Sequence, residues 1–485
     1  VSWSITGSVN YSLPFDDEGS ILTANAGMTI NQSNSSSFGF EGKGFLKPTM
    51  NDINFARMYP SGAKPSGSNN YSASVGVFAN LNFILKNRYF LDGSYRTSGS
   101  SVLGGNNQWA PYWSFGIGWN AHNESFIKAL SWVSTFRFRG SIGFVGSGNF
   151  SGNMAQTLYT YGDAYLLGLG AVASQLGNPD LKAQRTLSMN GGVVLDILDG
   201  RFQVNLDFYR QRTKDALLPI GLPLSTGAAT VQANLGESLN WGMELSVSSL
   251  LVRTTDWLVR LTLNTHHTEN QLVKISNALA RQNEKNMKDW GVVPKLQLQE
   301  GESMDAIYAV DSWGINPANG MEVFLKKDTK EPTYEYNVED MVALGDTKPW
   351  FEGSSSLSIA WRDISVGMAF SYTFGGYIYN ATRAAKVENI DITKNVDRRA
   401  YTDRWAEPGD VVAYPKGSYE QKQRFIKSAR FVEKKNEVYL SSVSISYNLP
   451  QTWVRKIGLK RLALGVTFSD VLRLSTVKYE RGTSY

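Results

Sequence analysis

The sequence predicts an all-β chain, folded as an antiparallel transmembrane β-barrel of the outer-membrane kind with long loops at one end. Three observations carry that expectation. Apolar and polar side chains alternate through fourteen segments, the gaps between segments alternate between short and long, and aromatic rings gather where the apolar faces end.

The first segment, Val1–Leu13, sets Val1, Trp3, Ile5, Val9, Tyr11 and Leu13 against Ser2, Ser4, Thr6, Ser8, Asn10 and Ser12. Period two places the two sets on opposite faces of a strand. The pattern recurs at Leu22–Ile30, Tyr71–Leu85, Tyr89–Tyr95, Trp113–Asn120, Phe136–Phe144 and Leu187–Leu195. It continues at Phe202–Phe208, Trp241–Val247, Trp257–Leu263, Leu357–Trp361, Ile364–Phe374, Val443–Leu449 and Leu462–Phe468. A tilted strand needs about 9–11 residues to cross the hydrocarbon core, and these segments approach that length before their ends are counted. Strands of soluble β folds are usually nearer five or six residues. No run approaches the ~20 apolar residues of a membrane helix.

The connections sort by length. Lys86–Arg88, Ile197–Gly200, Ser249–Thr255 and Asp363 alone are tight. Asn31–Asn70, Gly146–Lys182, Arg212–Leu239, His266–Gly353 and Gly376–Glu437 are long, and Thr97–Ala110 and Ala121–Ser134 are of middling length. Barrels of the outer membrane divide periplasmic turns from extracellular loops in this way. The turn at Asp363 would fix its end as periplasmic and put the two longest loops outside. Trp3, Val75, Ile117, Ile142, Leu206, Leu245, Leu261, Phe370 and Ile445 are then expected to face lipid. Ser4, Ser114, Arg139, Asn205, Glu244 and Ser371 are expected to face a wet lumen, because a cation on the lipid face costs ~2–4 kcal/mol at midplane.

Composition narrows the function. Charged residues are 19% of the 485, against about 25% in an ordinary soluble domain, and there is no cysteine. No disulfide framework, thiolate metal site or cysteine nucleophile can exist. His122, His266 and His267 are the only histidines, without an H-E-x-x-H spacing, and no cofactor or metal is expected. The formal charge of +5 is spread along the chain, which is not the pattern of a nucleic-acid binder. A hydrolase embedded in the barrel would need a nucleophile elbow; G-x-S-x-G is missing, and the His266-His267 pair is expected at the membrane rim. Asn270–Trp290 could form a helix in the first long loop, with Leu272, Ile275 and Leu279 on one face.

Loop rings are the candidate contact residues for substrate or partner: Tyr159, Tyr161, Tyr165, Trp290, Trp313, Tyr334, Tyr336, Trp405 and Tyr414. Their faces suit sugars, peptides or a protein partner, although rings of this kind also pack loops together. Lys326, Lys327, Arg398, Arg399 and Arg404 would form a polar rim around them or meet lipopolysaccharide phosphates. Loops so far beyond the usual ~12–15 residues are expected to be ordered. Deleting Glu331–Lys348 is expected to weaken partner binding and spare the barrel.

Several phrases, in order along the chain, resemble one family, the SusC/RagA-type TonB-dependent transporters. Asn87-Arg88-Tyr89-Phe90-Leu91 runs into Ser94-Tyr95-Arg96, and Trp113-Ser114-Phe115-Gly116-Ile117-Gly118-Trp119 follows. Then come Phe138-Arg139-Gly140-Ser141, Gly177-Asn178-Pro179-Asp180-Leu181-Lys182, Asn240-Trp241-Gly242-Met243-Glu244 and Ser446-Tyr447-Asn448-Leu449-Pro450. Thr97-Ser98-Gly99-Ser100-Ser101 lacks the acidic residue usual in that family's loop. The resemblance implies a 22-stranded barrel, an N-terminal plug with a TonB-box, and import energised by the TonB complex. It also implies a SusD-like surface lipoprotein as lid and glycans or peptides as cargo, in the bacterial outer membrane. Residues 1–485 would then be a partial barrel, about strands 8 to 21, with plug, early strands and final strand outside them. A passive or adhesive barrel and a barrel-embedded hydrolase are the alternatives, and the residues do not separate glycan from peptide.

Overall fold

The computed structural model describes residues 1–16, 19–47, 49, 52–61, 66–146, 155–165, 168–222, 226–227, 230–275, 277–288, 293–389, 395–417 and 426–477. Its dominant element is a 14-stranded sheet in which each strand pairs with its sequence neighbour in that sheet. The strands are β1 (Ser2–Pro14), β2 (Ile21–Gly39), β3 (Ser66–Leu85), β4 (Tyr89–Ser100), β5 (Trp109–Asn120), β6 (Val133–Gly146) and β7 (Arg185–Ile197). They continue as β8 (Phe202–Lys214), β9 (Glu237–Arg253), β10 (Trp257–Lys274), β11 (Phe351–Trp361), β12 (Ile364–Tyr379), β13 (Val432–Asn448) and β14 (Ala463–Ser475). Every pairing is antiparallel. Each of the fourteen alternating segments falls in one of these strands to within a residue at its ends.

The strands outrun the alternation, and the reason is physical. β10 runs eleven residues past Leu263, to Lys274. There His267, Glu269 and Gln271 hold the positions that Leu261 and Leu263 hold lower down, so the two faces no longer differ in polarity. The His266-His267 pair is therefore inside a strand, not beyond its end, and the first long connection is 275–350 instead of His266–Gly353. The second shortens from Gly376–Glu437 to 380–431, because β12 reaches Tyr379 and β13 starts at Val432. β14 continues past Phe468 to Ser475 through an irregularity opposite Leu440 and Ser442, with Asp470 at φ +53°. Asp470 breaks the apolar set Leu464, Val466 and Phe468, which resumes at Leu472 and Leu474 on the same parity, and that polar interruption is why Ser469–Ser475 does not read as strand.

The tight turns are as expected in place, with small differences in length. Trp361 pairs with Ile364, so the turn is Arg362-Asp363, not Asp363 alone; Arg362 is at φ +49°. Of the middling gaps, one contracts to 101–108 at the long-loop end. The other, 121–132, stays at the turn end as two short helical pieces. The helix expected over Asn270–Trp290 is confined to Asn277–Met287, since Leu272 belongs to β10.

The loops have secondary structure of their own. Leu158–Tyr165, Gly168–Leu176, Leu217–Gly221 and Thr230–Asn234 form a four-stranded sheet. Ala306–Val310 pairs with Met341–Asp346, and Ser312–Ile315, Glu322–Leu325 and Pro332–Thr333 make a three-stranded sheet.

Candidate functional site: the polar face and the loop body

Direct cross-strand partners share a face, so the register assigns faces without reference to polarity. Ser4 pairs with Asn31 and Asn31 with Ser74. Asp207 pairs with Glu244, Glu244 with His266, and His266 with Glu352. Carried through all fourteen strands, this places Ser4, Ser114, Arg139, Asn205, Glu244 and Ser371 on one face. Trp3, Val75, Ile117, Ile142, Leu206, Leu245, Leu261, Phe370 and Ile445 all fall on the other.

The polar face is concave enough to hold three adjoining cavities. The largest, about 980 Å³, is walled by hydroxyls and amides including Ser4, Asn31, Ser74, Ser94, Ser98 and Ser114, with Arg96 among them. The next, about 770 Å³, contains Asp92, Arg139, Asn190 and Asp207. A third of about 370 Å³ adds Asn205, Glu244, Asn264 and His266. Two side-chain contacts on this face join a basic residue to an acidic one. Arg139 Nη2 donates to both carboxylate oxygens of Asp207 at 2.7 and 2.6 Å, and His266 Nε2 stands 2.8 Å from Glu352 Oε1.

Side chains on the wall also reach across a whole strand, over a glycine. Arg139 passes over Gly192 to Asp207, and a Cβ on Gly192 would collide with the pair. Tyr209 lies over Gly242, and its hydroxyl meets Thr268 Oγ1 at 2.6 Å. On the opposite face Tyr372 crosses Gly353 and donates to the Asn264 carbonyl at 3.0 Å. His267, next to His266, points to that opposite face, where it packs edge-on against Trp241 and Trp350.

The two longest connections, 275–350 and 380–431, join into one body. Its centre is ionic: Arg430 Nη2 donates to Glu322 Oε2 at 2.6 Å and to Glu388 at 2.9 and 2.8 Å, while Ser428 Oγ donates to Glu322. Burial opposes the Arg430 charge, but the hydrogen bonds and charge of Glu322 and Glu388 outweigh it and hold the guanidinium above its ordinary range. Around this centre lie two apolar clusters. One gathers Ala384, Val387, Ala400, Tyr414 and Phe431; the other gathers Val310, Phe324 and Met341. Trp405 Nε1 donates to the Pro317 carbonyl at 2.8 Å and covers Gly320, where a Cβ would collide with the indole.

This body sorts the candidate rings. Tyr414 and Trp405 are buried, at 2% and 8% exposure, so their faces are spent on packing and are not open to a ligand. Tyr336 is committed in the same way: its ring meets Phe324 at 5.5 Å, its hydroxyl accepts from the Lys427 amide, and burial raises its pKa. Trp313 and Tyr334 remain exposed in this body, and Tyr159 on the four-stranded loop sheet. Trp290 and the side chains of Tyr161 and Tyr165 lie outside the described residues. The rim is also thinner than expected. Arg404 gives its donors to the carbonyls of Val387, Glu388, Ala400 and Pro415, and Arg399 holds Asp397 at 2.6 Å. Lys326, Lys327 and Arg398 are exposed. Deleting 331–348 would remove Met341 from its cluster and the strand Met341–Asp346, so that deletion cuts the body itself and is no surface test.

The phrase Gly177–Lys182, by contrast, works as a clasp that sequence alone did not reveal. Asn106 Nδ2 donates to Asp180 Oδ1 at 2.8 Å, the Gly104 amide to the Leu181 carbonyl at 3.0 Å, and the Lys182 amide to Asn234 Oδ1 at 2.8 Å. Three loops thereby meet at Leu181, which is fully buried. Gly104 is there because a Cβ would strike the Pro179 carbonyl.

A fourteen-stranded wall of this order, polar on one face and loaded with loops at one end, can be compared with known families. The family model described as TonB dependent receptor-like, beta-barrel matches residues 2–381. The chain belongs to that family. As a TonB-dependent receptor barrel it is a protein of the outer membrane, and the SusC/RagA resemblance holds in both sequence and fold. TonB-dependent receptor P3 of Formosa agariphila is 24% identical over 441 residues, covering 84% of this chain and 42% of that protein. TonB-dependent receptor SusC of Bacteroides thetaiotaomicron is 28% identical over 213 residues, covering 42% of this chain and 21% of that protein. The structure of the RagAB peptide transporter superposes with a TM-score of 0.84 at 21% identity, over 98% of this chain and 52% of that one. The TonB-dependent receptor barrel described here thus spans about half the length of the relatives it matches, or less. None of these relatives is named as a hydrolase.

Proposed function

We propose that residues 1–485 are about fourteen of 22 strands of an importer, whose plug, early strands and closing strand belong to the remainder of the protein. The complete protein takes up oligosaccharides or oligopeptides, driven by the TonB complex and served by a SusD-like lipoprotein at its outer mouth. One observation carries this reading: a continuous polar face backed by an apolar one, ending in a packed loop body instead of free loops. The apolar face, with Leu245, Leu261 and Ile445, meets lipid; the polar face, with Arg139, Asn205 and Glu244, lines the lumen. Of the candidate rings, Trp313, Tyr334 and Tyr159 are exposed and could touch a partner or cargo.

The decisive experiment is uptake by cells producing the full-length protein. Labelled oligosaccharides and oligopeptides should enter in a TonB-dependent manner, and uptake that persists without TonB would instead identify a passive pore. Co-purification of a surface lipoprotein should weaken when Trp313 and Tyr334 are both changed to Ala. Unchanged co-purification would remove those two rings from the interface.

A further inference from the structure

The connection between β13 and β14 is unlike the other turns of the wall. Residues 449–462 read LPQTWVRKIGLKRL, with four cations and no acid. The helical turn Gln451–Lys456 is pinned by Val454, at 1% exposure, and ends where Gly458 takes φ +76°. What this fold presents outward is mixed in an unusual way. Trp453, Ile457 and Leu459 are 62%, 63% and 46% exposed, interleaved with exposed Arg455, Lys456 and Lys460. Arg461 donates to Asn448 Oδ1 and Arg455 to Gln451 Oε1, both neutral amides, and no carboxylate is paired with any of the four cations among the described residues.

An exposed apolar patch of Trp453, Ile457 and Leu459 would be a poor surface in water, and a cluster of uncompensated cations a poor one in hydrocarbon. Both are satisfied together only at a headgroup layer, where rings lie at the boundary and cations meet phosphate. The segment's position is the right one. It joins the strand ends that carry Tyr447 and Leu464, a cross-strand pair on the apolar face, both exposed.

A weaker form of the pattern, with a single cation, lies at the same end of the wall. Connection 121–132 exposes Phe126, Leu130 and Trp132 beside Lys128. Its only acid, Glu124, is turned inward onto Arg88 at 3.1 Å and Tyr89 at 2.7 Å.

We infer that residues 449–462 form a binding site for anionic phospholipid headgroups at the turn end of the barrel, with Trp453 at the acyl boundary and Arg455, Lys456 and Lys460 on the phosphates. This rests on the reading proposed above, in which the loop body lies at the outer mouth, so that the turns are periplasmic, and the apolar face meets lipid.

The test uses the full-length protein in nanodiscs of mixed phosphatidylethanolamine and phosphatidylglycerol, with retained lipid counted by native mass spectrometry. The wild type should retain phosphatidylglycerol preferentially. The R455Q/K456Q/K460Q variant, which leaves Arg461 on Asn448, should lose that preference by about tenfold or more. Equal retention of both lipids by the wild type would overturn the site without recourse to any variant. So would a variant that keeps the preference, or one that instead loses a co-purifying periplasmic protein. Orientation is read separately by K460C on intact cells. Protection from a membrane-impermeant maleimide is expected, and labelling would overturn the orientation while the nanodisc result still judged the lipid site.

Discussion

In the wall, Leu245 and Ser246 are chain neighbours on opposite faces; in the loop body, Glu322 and Arg430 come from separate connections and meet at one buried point. The wall is specified locally. Each residue's face follows from parity, and the backbone ladder supplies the rest. The loop body is specified by contacts distant along the chain, and its centre is a cation shared by two carboxylates. A wall strand therefore tolerates substitution by face, whereas the loop body fails at particular side chains.

The sharpest test of this contrast is Arg430→Met in the full-length protein. It leaves Glu322 and Glu388 buried without their partner, a loss of about 3–5 kcal/mol confined to the loops. Protease cleavage within 275–350 should rise about a hundredfold or more, while the barrel keeps its heat resistance. A barrel that unfolds along with its loops would erase the distinction between the two regions.

Next in size, Leu245→Arg near the middle of β9 should cost about 2–4 kcal/mol in urea titrations of vesicle-inserted protein. Ser246→Arg should stay within about 0.5 kcal/mol. Equal costs would mean that the two faces do not meet different media.

The clasp probes a region between these extremes, where a loop closes on a strand end. Gly104→Ala drives a methyl into the Pro179 carbonyl and should cost about 1–3 kcal/mol. Amide exchange at Gly104 and Leu181 should speed up, with β5 unaffected.

The smallest effect concerns a half-buried loop pair. Hydrogen bonds from the Arg399 side chain and backbone lower the Asp397 pKa to about 2. A carboxyl depressed in the folded state adds stability above its unfolded pKa and loses it as pH falls through about 2. Exchange in the helical turn Arg399–Thr402 should quicken by at most about fivefold over that descent, and Asp397→Asn should abolish the dependence.

Legibility in the sequence follows the same division. All fourteen strands could be read because an apolar face backed by a polar one imposes an alternation. Where β10 rises beyond that contrast, at His267, Glu269 and Gln271, the strand persists but its signature fades. At Ser441 an extra residue reverses the parity of β13, and at Asp470 a carboxylate interrupts the apolar set of β14, so each strand runs past its visible pattern. Glu322, Glu388 and Arg430 carry no periodic mark, being joined only by the fold. Trp405 and Tyr414 were visible as loop rings, yet a ring suits a packed interior and a ligand surface equally well, and only burial separates the two. The phrase Gly177–Lys182 stood out by resemblance; nothing in it disclosed that its work is to clasp three loops.

The side chains that span a glycine bear on how such a wall yields. Pulling a strand from a simple sheet opens its ladders pair by pair, like a zipper. Arg139 over Gly192 and Tyr209 over Gly242 each tie strand n to strand n+2, so the middle strand is bound down as well as flanked. β7 peels away only with loss of the Arg139–Asp207 contact, and β9 only with loss of the Tyr209–Thr268 bond. Loss of the middle strand thus costs a side-chain contact between its two neighbours in addition to two backbone ladders, and the wall behaves less like woven thread than like laminated board.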